Sequence, residues 1–356
     1  MKILFQGLNG EFDKGWGSGI RRYMYELYQR LKSDKNFNII KLEYTPLPFI
    51  GDILSLSVRE FTNNFKGYDI VHNLLPVIFP RFKVPGDKIL ISTVHEFDLY
   101  ADKISYSEFL DQNGFIPTTR EYLWHNYIIK SALNSQLSAS DYLIARSSQT
   151  KEEAIKLGFP KKNIFVINSG LDRRFLTKVK VQRDKNSFIA GYIGSFYYKK
   201  NVPMILETAN YINDPNIKIQ IFGKPDYQYE KIKSMAKPYK NKIELKGFIP
   251  EEKLVKTYAS FDVFFFPSLY EGLGLPILEA QACGVPVIIY GRSKMPKEIT
   301  KYCFKANTPE QAAEIIQNLK LNGYNKKIRI KAKIYAQKFT WEKCAEDTKK
   351  IYTSIT

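Results

Sequence analysis

Residues 264–288, Phe264-Phe265-Phe266-Pro267-Ser268-Leu269-Tyr270-Glu271-Gly272-Leu273-Gly274-Leu275-Pro276-Ile277-Leu278-Glu279-Ala280-Gln281-Ala282-Cys283-Gly284-Val285-Pro286-Val287-Ile288, are the stretch on which the fold turns. The apolar run headed by Asp262 and stopped by Pro267 is too short for a core helix and reads as a buried parallel strand. Gly272 and Gly274 let the next loop bring its backbone close to a ligand. Pro276 suits the first turn of a helix bearing Glu279, Ala280 and Ala282, which Gly284 stops. A glycine loop running into a helix N-terminus offers unpaired N–H groups and the positive end of a dipole, where a phosphate or diphosphate is well accommodated. Glu271 before the loop and Glu279 near the first helical turn bracket that place as acceptors suited to sugar hydroxyls. Each also has a plain structural reading, since Ser268-x-x-Glu271 matches a capping box and Glu279 would complement the helix dipole.

The combination of strand, Glu271, paired glycines, Pro276, Glu279-Ala280 and Gly284-Val285-Pro286-Val287-Ile288 is more restrictive than any of its parts. It closely resembles the Glu-x7-Glu signature of retaining GT-B glycosyltransferases, specifically glycosyltransferase family 4. The resemblance implies that Glu271 contacts the donor sugar and Glu279 the nucleotide ribose, with Gly272, Leu273, Gly274 and Leu275 lining the donor between them.

With 356 residues and 41.4 kDa the chain is long enough for two domains with substantial cores. No apolar run approaches the roughly 20 residues of a membrane-spanning helix. The N-terminus enters directly into the strand-like Ile3-Leu4-Phe5 without the order of regions of a signal peptide, so a cytoplasmic location is expected. Three cysteines, Cys283, Cys303 and Cys344, fit no metal spacing and read as reduced thiols. The formal charge of +18 calls for an anionic partner. The basic residues are scattered and no nucleic-acid-binding motif appears, which excludes nucleic acid and leaves phosphate-bearing small molecules and an anionic membrane surface touched from its inner face.

In chain order, Lys2 to Gln6 reads as a strand followed by two glycine clusters and a helix whose Ile20, Tyr23, Met24, Leu27 and Leu31 recur at helical spacing, with Ser18 as a fair N-cap. The glycines match a dinucleotide fingerprint poorly, so a nicotinamide-dependent oxidoreductase ranks low. Ser18-Gly19-Ile20-Arg21-Arg22-Tyr23 is instead similar to the small-residue pair before the first family 4 helix, which implies that Ser18 and Gly19 let the donor diphosphate approach. Strands are expected near Tyr68 to His72, Ile89 to Val94 and Tyr142 to Ala145. His95 lies just past a strand end, the edge where α/β sheets bind ligands, and the resemblance implies that it orients the reacting sugar. The aromatic-rich segment from Phe97 to Tyr127, with Tyr100 and Trp124, is the candidate acceptor-binding region, although core packing explains it equally well.

In the second half, Phe188 to Ile193 reads as a strand leading into Gly194-Ser195-Phe196-Tyr197-Tyr198-Lys199-Lys200-Asn201. The resemblance implies that Gly194, Ser195 and Lys200 bind the donor diphosphate. Ser195 stands where many family members carry Arg. Further strands are expected at Lys218 to Gly223, Ile243 to Lys246, Asp262 to Phe266 and Val285 to Tyr290. The tail from Thr308 reads as helical, and Phe339-Thr340-Trp341-Glu342 resembles the start of the family's last helix.

The resulting expectation is an α/β chain of GT-B type, with two Rossmann-like domains facing each other across a cleft. Residues 1–177 would bind the acceptor, 178–338 the nucleotide sugar, and 339–356 form a helix crossing back to the first domain. The resemblance implies a retaining glycosyltransferase moving a hexose from a nucleoside-diphosphate sugar to a glycan or lipid-linked acceptor. No cofactor is expected, because no Asp-x-Asp pair occurs and helix dipole, backbone N–H groups and Lys200 take the diphosphate charge without metal. Glu271, His95 and Lys200 are the catalytic candidates. The alternative is a non-catalytic basic nucleotide- or glycan-binding protein on the same fold, for which Ser195 is the one argument.

Overall fold

The computed structural model describes residues 1–8, 19–44, 67–74, 87–97, 137–177, 186–225 and 229–356, with residues 179 and 181. Ser18, Tyr100, Trp124 and the rest of the aromatic-rich segment beyond Phe97 lie outside the described residues. The chain divides into two compact units. One comprises the described residues before Leu171 together with Thr340–Thr356, the other Leu171–Phe339. These divisions fall at Gly170/Leu171 and Phe339/Thr340 rather than after residues 177 and 338.

The first unit holds β1 (Lys2–Leu8), α1 (Gly19–Leu31), β2 (Asn38–Tyr44), β3 (Ile70–Asn73), β4 (Ile89–Val94), β5 (Tyr142–Ala145), α2 (Ser148–Lys156) and β6 (Ile164–Val166). Its six strands run parallel in the order β2-β1-β3-β4-β5-β6. The chain leaves β1 outward to β2 and returns on the other side as β3, so the connection reverses between β1 and β3. The central strands are buried because helices cover such sheets on both faces; all four side chains of β3, Ile70-Val71-His72-Asn73, are buried, its polar pair included.

The second unit follows with β7 (Phe188–Ile193), α3 (Val202–Thr208), β8 (Ile217–Phe222), α4 (Tyr229–Ala236), β9 (Ile243–Gly247), α5 (Glu251–Ser260), β10 (Val263–Phe266), α6 (Leu275–Ala282), β11 (Val287–Tyr290), α7 (Lys297–Thr300), β12 (Phe304–Ala306), α8 (Pro309–Asn322) and α9 (Lys326–Ala336). Its sheet is again parallel, in the order β12-β11-β10-β7-β8-β9. Here the winding reverses between β7 and β10. Strand β10, Val-Phe-Phe-Phe, is buried at every position, and Phe264 and Phe266 stack with centroids 5.6 Å apart. Its core continues through Ile277, Leu278 and Ala280 of α6.

The last helix, α10 (Trp341–Ile355), belongs to the first unit. Thr340 caps it, its side chain accepting from Lys343 N, and its Trp341, Cys344, Ala345, Ile351 and Tyr352 join the core formed by β1, β3 and α1. The ends of the second unit meet, since Leu171 N donates to Phe339 O at 2.9 Å.

Candidate functional site

In an open parallel sheet, ligands sit beyond the carboxyl ends of the strands at the point where the winding reverses. In the second unit that point is the gap between β7 and β10, and the two loops that leave these strands are tied together there. Leu269 N donates to Lys199 O at 2.7 Å, and Ser268 Oγ lies 3.0 Å from the same carbonyl. Lys200, from the β7 loop, forms an ion pair with Oε1 of Glu271, from the β10 loop, and its Nζ sits 5.1 Å from the centroid of the Phe266 ring. Ser268 Oγ is 2.7 Å from the same Glu271 oxygen. Lys200 is thus held by a carboxylate, an aromatic face and its own short helical turn, Tyr198–Lys200, in one position at the strand ends.

The loop-to-helix turn follows from the glycine. Gly274 takes φ +88 at the N-cap of α6, a left-handed conformation that suits glycine, and Pro276 follows in the first turn. The cap has no side-chain hydrogen bond, Pro276 has no N–H and Ile277 N donates to Gly274 O at 3.0 Å, so the Leu275 N–H is the donor of the first turn left to a ligand. Glu271 lies before the helix and Ser268 is not its N-cap, so the capping-box reading of Ser268 and Glu271 does not hold. The first turn carries no acid either: Glu279 is the fifth residue of α6, in its second turn, and Tyr258 of α5 donates to its Oε2 at 2.8 Å. Both carboxylates are 8% exposed. Gly272, Leu273 and Leu275 complete the loop.

The β7 loop and its neighbour are closely fitted. Gly194 N donates to Phe222 O at 3.0 Å, and a Cβ on Gly223 would stand 2.4 Å from Gly194 O. Ser195 turns its carbonyl to the Tyr192 hydroxyl at 2.7 Å. Lys224 is exposed at the end of β8.

In the first unit, Gly19 begins α1, and Tyr23 one turn later sets its ring against His95 with centroids 5.2 Å apart. His95, past the end of β4, has its Nε2 2.8 Å from Leu74 O, to which it donates in the neutral form. Burial, and then the positive charge of Arg146, pull its pKa down to about 4. His72 is fully buried between the Tyr352 hydroxyl, 2.6 Å from Nδ1, and Thr93 Oγ1, 2.7 Å from Nε2; it is part of the core.

Sequence reasoning missed several partners. The Ser268 and Tyr258 hydroxyls on the two carboxylates look like ordinary loop and helix residues in the sequence. Arg146, at the end of β5, is 1% exposed, lies 3.8 Å over the Tyr23 ring and bonds to Ser169 Oγ. A charged residue ending an apolar run gives no sign of burial. Among the described residues no group of three His, Cys, Asp or Glu side chains is placed to hold a metal ion.

Residues 174–339 match the sequence model of the family described as glycosyl transferases group 1. That match lies wholly within the second unit, Leu171–Phe339. Among curated proteins the chain is similar to the O-antigen chain mannosyltransferase B of Escherichia coli, 34% identical over 109 residues, which is 30% of this chain and 29% of that protein. The matches to the first curated relatives span only 29% to 55% of their lengths. Among solved structures it resembles sucrose-phosphate synthase from Thermosynechococcus elongatus, with a TM-score of 0.74, 17% identity and coverage of 99% of this chain and 98% of that one. It also resembles Anabaena HepE in complex with UDP-glucose, with a TM-score of 0.71, 15% identity and coverage of 99% and 100%. At this identity the likeness shows the fold, which is the GT-B fold.

Proposed function

We propose that the protein is a retaining, metal-independent glycosyltransferase of family 4 that moves a hexose from a nucleoside-diphosphate sugar to a glycan or lipid-linked acceptor. The observation that carries the reading is the Lys200–Glu271 pair at the reversal between β7 and β10, beside the uncapped start of α6. A cation, the Leu275 N–H and a dipole end converge there, as a diphosphate leaving group requires. A carboxylate at the same point accepts from a sugar hydroxyl. That relatives and neighbours of this fold include a mannosyltransferase and a complex with UDP-glucose supports the same substrate class.

In this reading the diphosphate lies on Gly194, Ser195, Lys200 and the Gly272 to Leu275 turn, with Gly19 allowing its approach. Glu271 holds the donor sugar, Glu279 the ribose, and neutral His95 orients the reacting sugar. The acceptor oxygen forms its bond to the anomeric carbon on the face from which the diphosphate departs. The acceptor proton passes to the departing phosphate oxygen, so configuration is kept without a protein base. The acceptor is assigned to a glycan under assembly at the inner face of a membrane, on the strength of the +18 charge.

The test is a thermal-shift and hydrolysis screen against UDP-, GDP- and ADP-sugars, with and without EDTA. Stabilisation and slow hydrolysis by one donor, unchanged by EDTA, is the expected result. Abolition by EDTA would overturn metal independence. Binding without hydrolysis or transfer would favour a non-catalytic reader, the reading to which Ser195 in the place of Arg points.

A further inference from the structure

Helix α9, Lys-Lys-Ile-Arg-Ile-Lys-Ala-Lys-Ile-Tyr-Ala, packs inward through Ala332 and Ala336 alone among its fully buried residues. Ile330 and Ile334 are separated by four residues as those alanines are, but displaced from them by two positions, about 200° around the helix. They therefore form a stripe on the opposite, outer side, and they are 48% and 54% exposed. Lys326, Lys327 and Lys331 border the stripe at three- and four-residue spacings and are all exposed. Ile328 and, just before the helix, Leu321 are exposed as well, at 43% and 82%.

Neither choice helps the folded chain by itself. Large aliphatic side chains left in water contribute nothing to the core. Lys326 and Lys327 occupy the first two positions of the helix, where the dipole favours acids, and only the Asn325 side chain, accepting from Lys327 N and Ile328 N, offsets this. The helix contains no acid, and among the described residues no carboxylate pairs with Lys326, Lys327 or Lys331. Both choices become favourable together at an apolar surface bearing negative charge. An anionic bilayer offers that: acyl chains receive the isoleucines while lipid phosphates meet the lysines on either side. At eleven residues α9 lies along such a surface and does not cross it.

We infer that the outer face of α9 is a docking surface for an anionic membrane. This inference does not depend on the donor site, and its test contains no sugar nucleotide, so the two readings fail separately. The full chain is mixed with vesicles of phosphatidylcholine, or of phosphatidylcholine with one quarter phosphatidylglycerol, and floated through a density gradient at low and high salt. The expected result is flotation with the anionic vesicles, reduced by salt, and none with the neutral ones. Lys327→Gln with Lys331→Gln is expected to weaken partitioning about 25-fold, roughly fivefold for each lysine. Ile330→Ser with Ile334→Ser weakens it at least about tenfold, and neither pair of changes alters Tm, since all four side chains are exposed. Absence of flotation by the unaltered protein would overturn the inference and leave an acidic protein as the partner of this face. Lysine variants that lose flotation while the isoleucine variants keep it would reduce the contact to general electrostatics and overturn insertion. Variants that all float as the parent does would place membrane contact elsewhere.

Discussion

The ammonium of Lys200 and the carboxylate of Glu271, 71 residues apart in the chain, form an ion pair across the reversal of the second sheet, with Ser268 Oγ 2.7 Å from the same carboxylate oxygen. Lys200 and Glu271 side chains are only 14% and 10% exposed, so each charge is largely dependent on the other. The pair holds the lysine in place, and in the proposed reading a bound donor gives both groups a second partner.

Removing either member alone leaves a mostly buried charge, which costs about 3–5 kcal/mol for a fully buried pair and less here. Lys200→Met and Glu271→Gln are each expected to lower Tm, and the double variant is expected to be no less stable than the worse single one. A double-mutant cycle by urea unfolding reads this coupling. Strict additivity would show that the pair contributes nothing to the fold.

On activity, Glu271→Gln keeps the shape and the Ser268 contact but removes the charge. A loss of about 100-fold or more in kcat for donor turnover is expected if this oxygen supports the transition state. A near-parental rate would take Glu271 out of the chemistry.

Gly274 has room for a methyl group, the nearest atom to a built Cβ being 3.5 Å away, so the cost of Gly274→Ala comes from φ +88 alone, about 1–2 kcal/mol. Gly223→Ala meets Gly194 O at 2.4 Å and requires the backbone to shift. Tm should fall further for Gly223→Ala, and Gly274→Asn should recover part of the loss at 274. Equal tolerance at the two positions would contradict the close approach of the two strand ends.

Acid should destabilise the first unit. Burial, followed by neighbouring positive charge, holds His72 and His95 at about 3 and about 4, against 6.5 ordinarily. The unfolded chain takes up these protons below about pH 6.5 and the folded chain does not. Stability is therefore full above that pH and lost as pH falls from 6.5 toward 4 and 3, by about 2 kcal/mol for each histidine at pH 5. Urea titrations at pH 7 and pH 5 measure it, and His72→Gln should remove about half of the difference. A flat profile would mean that both rings take up protons in the fold as readily as in the unfolded chain.

Cys283 and Cys303 are pushed up to about 12 and Cys344 is raised, each chiefly by burial. Iodoacetamide at pH 8 should label the native protein slowly and all three thiols quickly in urea. Rapid native labelling of Cys344 would show that α10 opens readily.

The parts most legible in the sequence are those where a short apolar run ends in glycine or proline. Strands β1, β7 and β10 read that way, β4 and β5 read from their apolar residues alone because both faces of each strand are covered, and α6 reads from Gly274, Pro276 and Gly284. The edge strands β6 and β12, three residues each, were missed because runs so short and only partly buried carry no pattern. Spacing alone misplaced two carboxylates. Ser268 and Glu271 match a capping box, yet the helix starts at Leu275, and counting from there puts Glu279 in the second turn. Lys200 was marked by its neighbours, but its pairing with Glu271 is a product of strand order, which no local pattern encodes. The buried Arg146 was invisible for the same reason: the Tyr23 ring beneath it comes from a distant helix.

The hydrogen bond from Leu171 to Phe339 makes the second unit a closed insert within the first. On a ribosome this imposes an order of events. Residues 171–339 have all their own strands as soon as they emerge and can collapse on their core unaided. The first unit, although begun earlier, waits for Trp341, Ile351 and Tyr352 before its core is filled, so His72 lacks its Tyr352 partner until then. The earliest-made sheet is thus the last to mature, and truncations within α10 should harm the half of the protein farthest away in sequence.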